Sequence, residues 1–176
     1  MYVSSPFQIS YATLAKNPNE RGIIILRMKI YIGSDHAGFE MKKALIEYLK
    51  SLPHESYDCG PGEYNHDDDY PDYISKVAKE VSDDPESFGI VIGFSGQGEA
   101  IVSNRFSNVR CALFYGGPKH ILTLSREHND ANMLSLGVNF ITTAEAKKAV
   151  ELWLHTKFTG EERHVRRIKK IEKYSR

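Results

Sequence analysis

The 176-residue chain has only two cysteines and one tryptophan, no excess of either charge and no long apolar run. Each shortage removes a class of protein. Cys59 and Cys111 are too few for a disulfide framework and lack metal-ligand spacing, so a reducing compartment, the cytoplasm, is expected. With Lys and Arg totalling 23 against 23 for Asp and Glu, nothing favours binding to nucleic acid or to a membrane surface. The apolar island at 23–26 falls far short of the ~20 residues a membrane-spanning helix needs. Residues 1–27 carry Lys16, Arg21 and Arg27 but only Glu20 as an acid, which faintly resembles an organelle-targeting segment. A disordered extension is the preferred expectation, because patterning opens at Met28 and leaves 28–176 as one domain.

What the chain does have is alternation. Short apolar runs at 29–33, 55–58, 88–92, 109–114 and 133–141 predict five strands, the last interrupted by Gly137. Between them lie helical faces: Met41, Leu45, Tyr48 and Leu49; Ile74, Val77, Ala78 and Val81; Ala100, Ile101 and Ser103; and 118–126. Thr142 and Glu145 predict a capping box ahead of an apolar stripe, Ala146, Ala149, Val150, Trp153 and Leu154. Val165, Ile168 and Ile171 line one side of a basic final helix. The order implies an α/β domain, a three-layer, doubly wound, Rossmann-like fold with a five-stranded parallel sheet, whose ligands lie beyond the carboxyl ends of the strands.

The run GIVIGFSGQGEAIVSNR at 89–105 falls at such an end. Small residues Gly93, Ser95, Gly96 and Gly98 let backbone N–H groups approach an anionic oxygen, and Glu99 follows at a helix start. An oxyanion site beside a base is one reading; an ordinary strand-to-helix connection with a favourable first-turn charge is the other. Asp35 and His36 directly follow the first strand, where Asp35 suits an N-cap as well as a ligand contact. His66, Asp67, Asp68 and Asp69 invite a metal assignment, but a solvated acidic loop is preferred, since no second ligand cluster is evident. Arg163 and Arg167 are spaced to present two guanidinium forks to one anion, whereas Lys169 and Lys170 read as a solvated face.

Four motifs carry a resemblance when taken together: GSDHAGFE at 33–40, DYPD at 69–72, the glycine turn at 93–104 and SREHNDAN at 125–132. They resemble the ribose-5-phosphate isomerase B family, which also includes the galactose-6-phosphate isomerase subunits. The similarity runs from Met28 to about Tyr174. Many members place a cysteine base where this chain has Gly93, so the chain resembles the branch in which the glutamate, here Glu99, is the base.

The resemblance implies aldose–ketose isomerisation of a sugar phosphate through a cis-enediolate, without cofactor or metal, at two interface sites of a homodimer. Such chemistry needs a base at carbon and donors at the developing oxyanion. Glu99 and the turn at Gly96, Gln97 and Gly98 answer that need. Ser95 would carry a proton between the first two substrate oxygens, although a hydroxyl satisfying its own turn is an equal alternative. His128 matches the family histidine that assists ring opening. Asp35, His36, Tyr70, Phe94, Asn129 and Asn139 would line the substrate site, and Arg163 with Arg167 would clamp phosphate.

This chain departs from the family pattern in four places. Phe94 replaces a small residue, Gln97 stands for asparagine, Asn139 stands where relatives often carry arginine, and the segment 114–120 is longer. The substrate expected first is ribose 5-phosphate with ribulose 5-phosphate. Another aldose or ketose phosphate is the alternative, and a noncatalytic sugar-phosphate sensor is a third.

Overall fold

In the computed structural model, residues 27–174 are described. The expected N-terminal extension lies outside them, except for Arg27, whose Nε sits 3.0 Å from Glu55 Oε1. Five strands alternate with helices: β1 Lys29–Ser34, α1 Phe39–Lys50, β2 Glu55–Asp58, α2 Pro71–Asp83, β3 Phe88–Gly93 and α3 Gln97–Ser103. They continue as β4 Cys111–Phe114, α4 His120–Glu127, β5 Met133–Gly137, α5 Thr143–His155 and α6 Glu162–Ile171, closed by a 3-10 turn at Glu172–Tyr174.

All strand pairs are parallel, in the order β2-β1-β3-β5-β4. The central strands β3 and β5 are covered on both faces, which is why they read as continuous apolar runs and not as alternating ones. On one face Met41, Leu45, Leu49, Ala146, Val150 and Trp153 join Ile90, Ile92 and Leu134 in one core; on the other Ile74, Val77 and Val81 pack on Val91 and Met133. Each buried Val, Leu, Ile or Met side chain in this set contributes roughly 1.5–3 kcal/mol. The capping box at Thr142 forms as expected, with the Thr142 hydroxyl accepting from the Glu145 N–H and Glu145 accepting from the Thr142 N–H.

Three boundaries differ from expectation. β4 starts at Cys111, not at 109, because the Asn132 side-chain carbonyl takes the Arg110 N–H (2.8 Å) before the ladder begins. β5 ends at Gly137, yet Val138 and Asn139 still donate to the Gly93 and Phe94 carbonyls (3.0 and 3.1 Å), prolonging the pairing seen in the pattern. α4 begins at His120, two residues after Pro118.

The direction of winding reverses between β1 and β3, which lie side by side in the sheet. The loops leaving their carboxyl ends therefore flank one crevice, the usual ligand position in an open parallel sheet. Asp35 and His36 leave β1 there, and the glycine turn leaves β3.

Candidate functional site

Gly96 has φ of 75°, a backbone state that glycine adopts without cost, and so turns β3 sharply into α3. The Ser135 hydroxyl donates to the Gly96 carbonyl (2.6 Å), fixing the turn to β5. These constraints bring Glu99 back over the end of β3. Its carboxyl lies where a Cβ at Gly93 would stand, and Glu99 is only 4 % exposed. Burial pushes the carboxyl above the ordinary carboxylate range, the nearby Asp35 charge pushes the same way, and the residue's own backbone amide opposes both.

The turn also gathers Ser95, Tyr70 and Phe94. Ser95 Oγ accepts from the Gln97 N–H at 3.3 Å, so the local turn bond anticipated as an alternative is present, and the hydroxyl proton remains available to a ligand. Tyr70 lies so close over Gly98 that a Cβ there would meet its ring at 2.7 Å. Phe94 is 58 % exposed, and its carbonyl holds the exposed Asn139 by the backbone bond already described.

A second group forms elsewhere. His128 caps the end of α4, its N–H donating to the Leu124 carbonyl at 3.0 Å. Its ring stacks on that of His164, with centroids 4.3 Å apart and planes 11° from parallel. Burial, the His128 ring and the Arg163 guanidinium together hold the His164 imidazolium below its ordinary range, and Arg167 adds to this. Arg163 Nε lies 2.7 Å from Glu161 Oε2, and Arg163, Arg167 and Asn129 are exposed. Among the described residues, no hydrogen bond, ion pair or ring contact joins this group to Glu99.

Arg126, inside the REHN motif, plays a different part. Its buried guanidinium lies over the rings of Phe88 and Trp153 and donates to Thr156 O, Ala131 O and Asp130 Oδ1. It ties α4 to α5 and so fixes the segment that carries His128.

The acidic loop requires a correction. Asp67 and Asp69 are exposed, but the Asp68 side chain is 3 % exposed and bonds to His36. Asp35, His36 and Asp68 bring ligand-type atoms within 4.8 Å of one another. The His36 Nδ1 to Asp68 Oδ1 contact is 2.7 Å, a hydrogen bond that engages both atoms. Sequence reasoning placed Asp68 in a solvated acidic loop and did not single out His164. The signals available were the acidic run itself for Asp68 and the neighbouring Arg163 for His164.

A family model described as Ribose/Galactose Isomerase matches residues 30–171. The chain belongs to the ribose/galactose isomerase family. It is 42 % identical over 149 residues to the ribose-5-phosphate isomerase B of Mycobacterium tuberculosis, covering 85 % of this chain and 91 % of that one. It is 37 % identical to a probable ribose-5-phosphate isomerase B of Mycoplasma pneumoniae over 84 % of this chain and 95 % of that one. Among solved structures, the Mycoplasma genitalium ribose-5-phosphate isomerase B with bound ribulose-5-phosphate matches with a TM-score of 0.79 and 36 % identity, over 84 % of this chain and 95 % of that chain. The Anaplasma phagocytophilum enzyme matches with a TM-score of 0.76 and 40 % identity, over 82 % and 97 %. Family membership thus agrees with both the expected fold and the motifs that suggested it.

Proposed function

We propose that this chain interconverts ribose 5-phosphate and ribulose 5-phosphate through a cis-enediolate. The observation that carries the proposal is the Glu99 carboxyl, buried over Gly93 and held above the ordinary range, in a chain whose relatives bear the isomerase name. A buried carboxylate is a stronger base toward a C–H proton than a solvated one. In the proposed mechanism Glu99 moves the proton between the first two carbons. The amides of the turn at Gly96, Gln97 and Gly98 stabilise the enediolate oxygen, and Ser95 passes the hydroxyl proton between the two oxygens. Asp35, His36 and Tyr70 border the same crevice and orient the sugar.

His128 assists ring opening, with Asn129 beside it, and Arg163 and Arg167 hold the phosphate. The site is completed across a homodimer in this reading, the His128 group meeting the glycine turn of a second copy. The separation of the two groups within one chain supports it, as does the apolar edge of α6, where Val165 and Ile168 are half-buried and Ile171 is 51 % exposed. Phe94, Tyr115, Ile101 and Phe140 add exposed apolar area near the turn. The enzyme would act in pentose phosphate metabolism in the cytoplasm, consistent with two unpaired thiols; no described helix is long and apolar enough to cross a membrane.

Assaying the purified protein against a panel of pentose, hexose and tetrose phosphates tests the proposal. Preferred turnover of ribose 5-phosphate is expected. Preference for another phosphosugar would assign the exposed Phe94 and Asn139 to a different substrate, and binding without turnover would make the protein a sensor.

A further inference from the structure

The loop between β2 and α2 is anchored before it reaches the crevice. Lys42 Nζ, buried on α1, lies 2.8 Å from both carboxylate oxygens of Asp58 and from the Pro61 carbonyl. From that anchor the chain returns to place Asp68 beneath His36. Asp68 Oδ1 accepts the His36 backbone N–H at 3.0 Å and lies 2.7 Å from ring Nδ1. One carboxylate oxygen thus holds both the main chain and the ring of a residue on another loop.

The rest of the His36 surroundings limits the ring further. The His66 ring stacks at 5.4 Å, 29° from parallel, and the Tyr64 ring stands edge-on at 6.4 Å. The charged groups facing the ring are Asp35 and Asp68; His66 and Tyr64 are its titratable ring neighbours. With Nδ1 engaged by a carboxylate, Nε2 is the ring atom left for a ligand.

We propose that Asp68 is a positioning residue for His36, holding the imidazole through Nδ1 and the backbone so that Nε2–H meets an oxygen of the bound sugar phosphate. This rests on the sugar-phosphate reading of the site. The hydrogen bond to Asp68, reinforced by the Asp35 and Asp68 charges, also keeps His36 protonated above the ordinary histidine range. The cationic donor is therefore kept to higher pH than in an ordinary histidine and is lost as pH rises through the elevated value.

Two substitutions separate charge from orientation. In Asp68→Asn the amide oxygen can still accept from the backbone and from Nδ1–H, but the charge is gone. In Asp68→Ala both are gone. Proton NMR of the free protein should show the His36 ring titrating at lower pH in Asp68→Asn than in the parent. The pH at which KM begins to rise should move down with it, at little change in kcat. Asp68→Ala should raise KM about tenfold, the scale of one charge-assisted hydrogen bond. In a His36→Gln background, Asp68→Ala should change KM no further. An unaltered His36 titration in Asp68→Asn, or an equal KM increase from Asp68→Ala with and without His36, would overturn the proposal and leave Asp68 as a loop anchor. If Asp68→Ala does not fold, Asp68→Asn decides. Failure of the parent to turn over any phosphosugar would refute the function instead, while the NMR titration would still decide whether Asp68 governs His36.

Discussion

The Glu99 carboxyl occupies the space that a side chain on Gly93 would need. The two positions are therefore coupled, and a base on the helix requires the absence of one on the strand. Gly93→Ala should displace the carboxyl and lower kcat by roughly 10²-fold or more, within the range of a lost general base. Because Gly93 pairs with Gly137 in the sheet interior, a melt must be recorded alongside. A folded Gly93→Ala protein with parental kcat would show that Glu99 does not act from this position.

Glu99→Gln should lose roughly 10²–10⁴-fold in isomerisation while still binding substrate. The same change should stabilise the fold. A carboxyl raised on folding stabilises the native state at low pH, and that contribution is lost as pH rises through the raised value. At neutral pH the ionised group therefore costs stability that glutamine does not. A higher Tm is expected, roughly 2–4 °C for each kcal/mol recovered in a domain of this size. The acid limb of kcat/KM in the parent should correspondingly fall above the pH of an ordinary carboxylate.

Much of this arrangement was legible in the sequence because it is local. The glycine turn, Glu99 and the Asp35–His36 pair lie within single motifs, and an alternating order of strands and helices dictates which ends they occupy. The pairs Asp68 with His36 and His164 with His128 are separated by 32 and 36 residues, and both depend on tertiary packing that no periodicity encodes. Asp68 read as solvated because its neighbours Asp67 and Asp69 are. His164 was hidden in a basic helix whose other residues are mostly exposed. The ends of β4 and β5 were misplaced for a related reason: the Asn132 side chain and the backbone of the glycine turn, not strand propensity, set where the ladders begin and end.

Arg126 should prove structural. Arg126→Ala removes the cation that lies over the Phe88 and Trp153 rings and leaves the Ala131 and Thr156 carbonyls and the Asp130 carboxylate short of a donor. Asp130 is one-third exposed and keeps Arg110 as a partner, so the cost comes mainly from the stranded carbonyls, about 1.5–3 kcal/mol. Chemical denaturation should show that loss with an unchanged m-value. A loss below about 1 kcal/mol would mean that α4 and α5 hold together without it.

Mixing Glu99→Gln and His128→Asn chains tests the assembly. Each homodimer should be nearly inactive. If the two groups meet across the interface, a heterodimer contains one site in which both residues are native, so activity should return to about half the parental value per dimer or less. Mass spectrometry should first establish that heterodimers have formed. Verified heterodimers with no recovered activity would place both residues in a single chain's site or remove one from the mechanism.

Arg163 and Arg167 lie one turn apart on α6, next to the stacked histidines, and their positive field is felt at His164. Replacing both by methionine keeps the aliphatic length while removing two forks, each able to donate paired, charge-assisted bonds to phosphate. Such bonds contribute roughly 1.5–3 kcal/mol apiece, so affinity for ribose 5-phosphate should fall by two orders of magnitude or more. Asn139 carries no charge to compensate. Affinity for unphosphorylated ribose should be weak and equal in both proteins, which separates loss of phosphate binding from general damage to the crevice. Removing the guanidinium charges should also let the His164 imidazolium form at higher pH than in the parent, a shift that NMR can follow without substrate. Undiminished binding of ribose 5-phosphate by the double variant would leave α6 as a solvated basic helix and direct the search for phosphate contacts to His36 and the glycine turn.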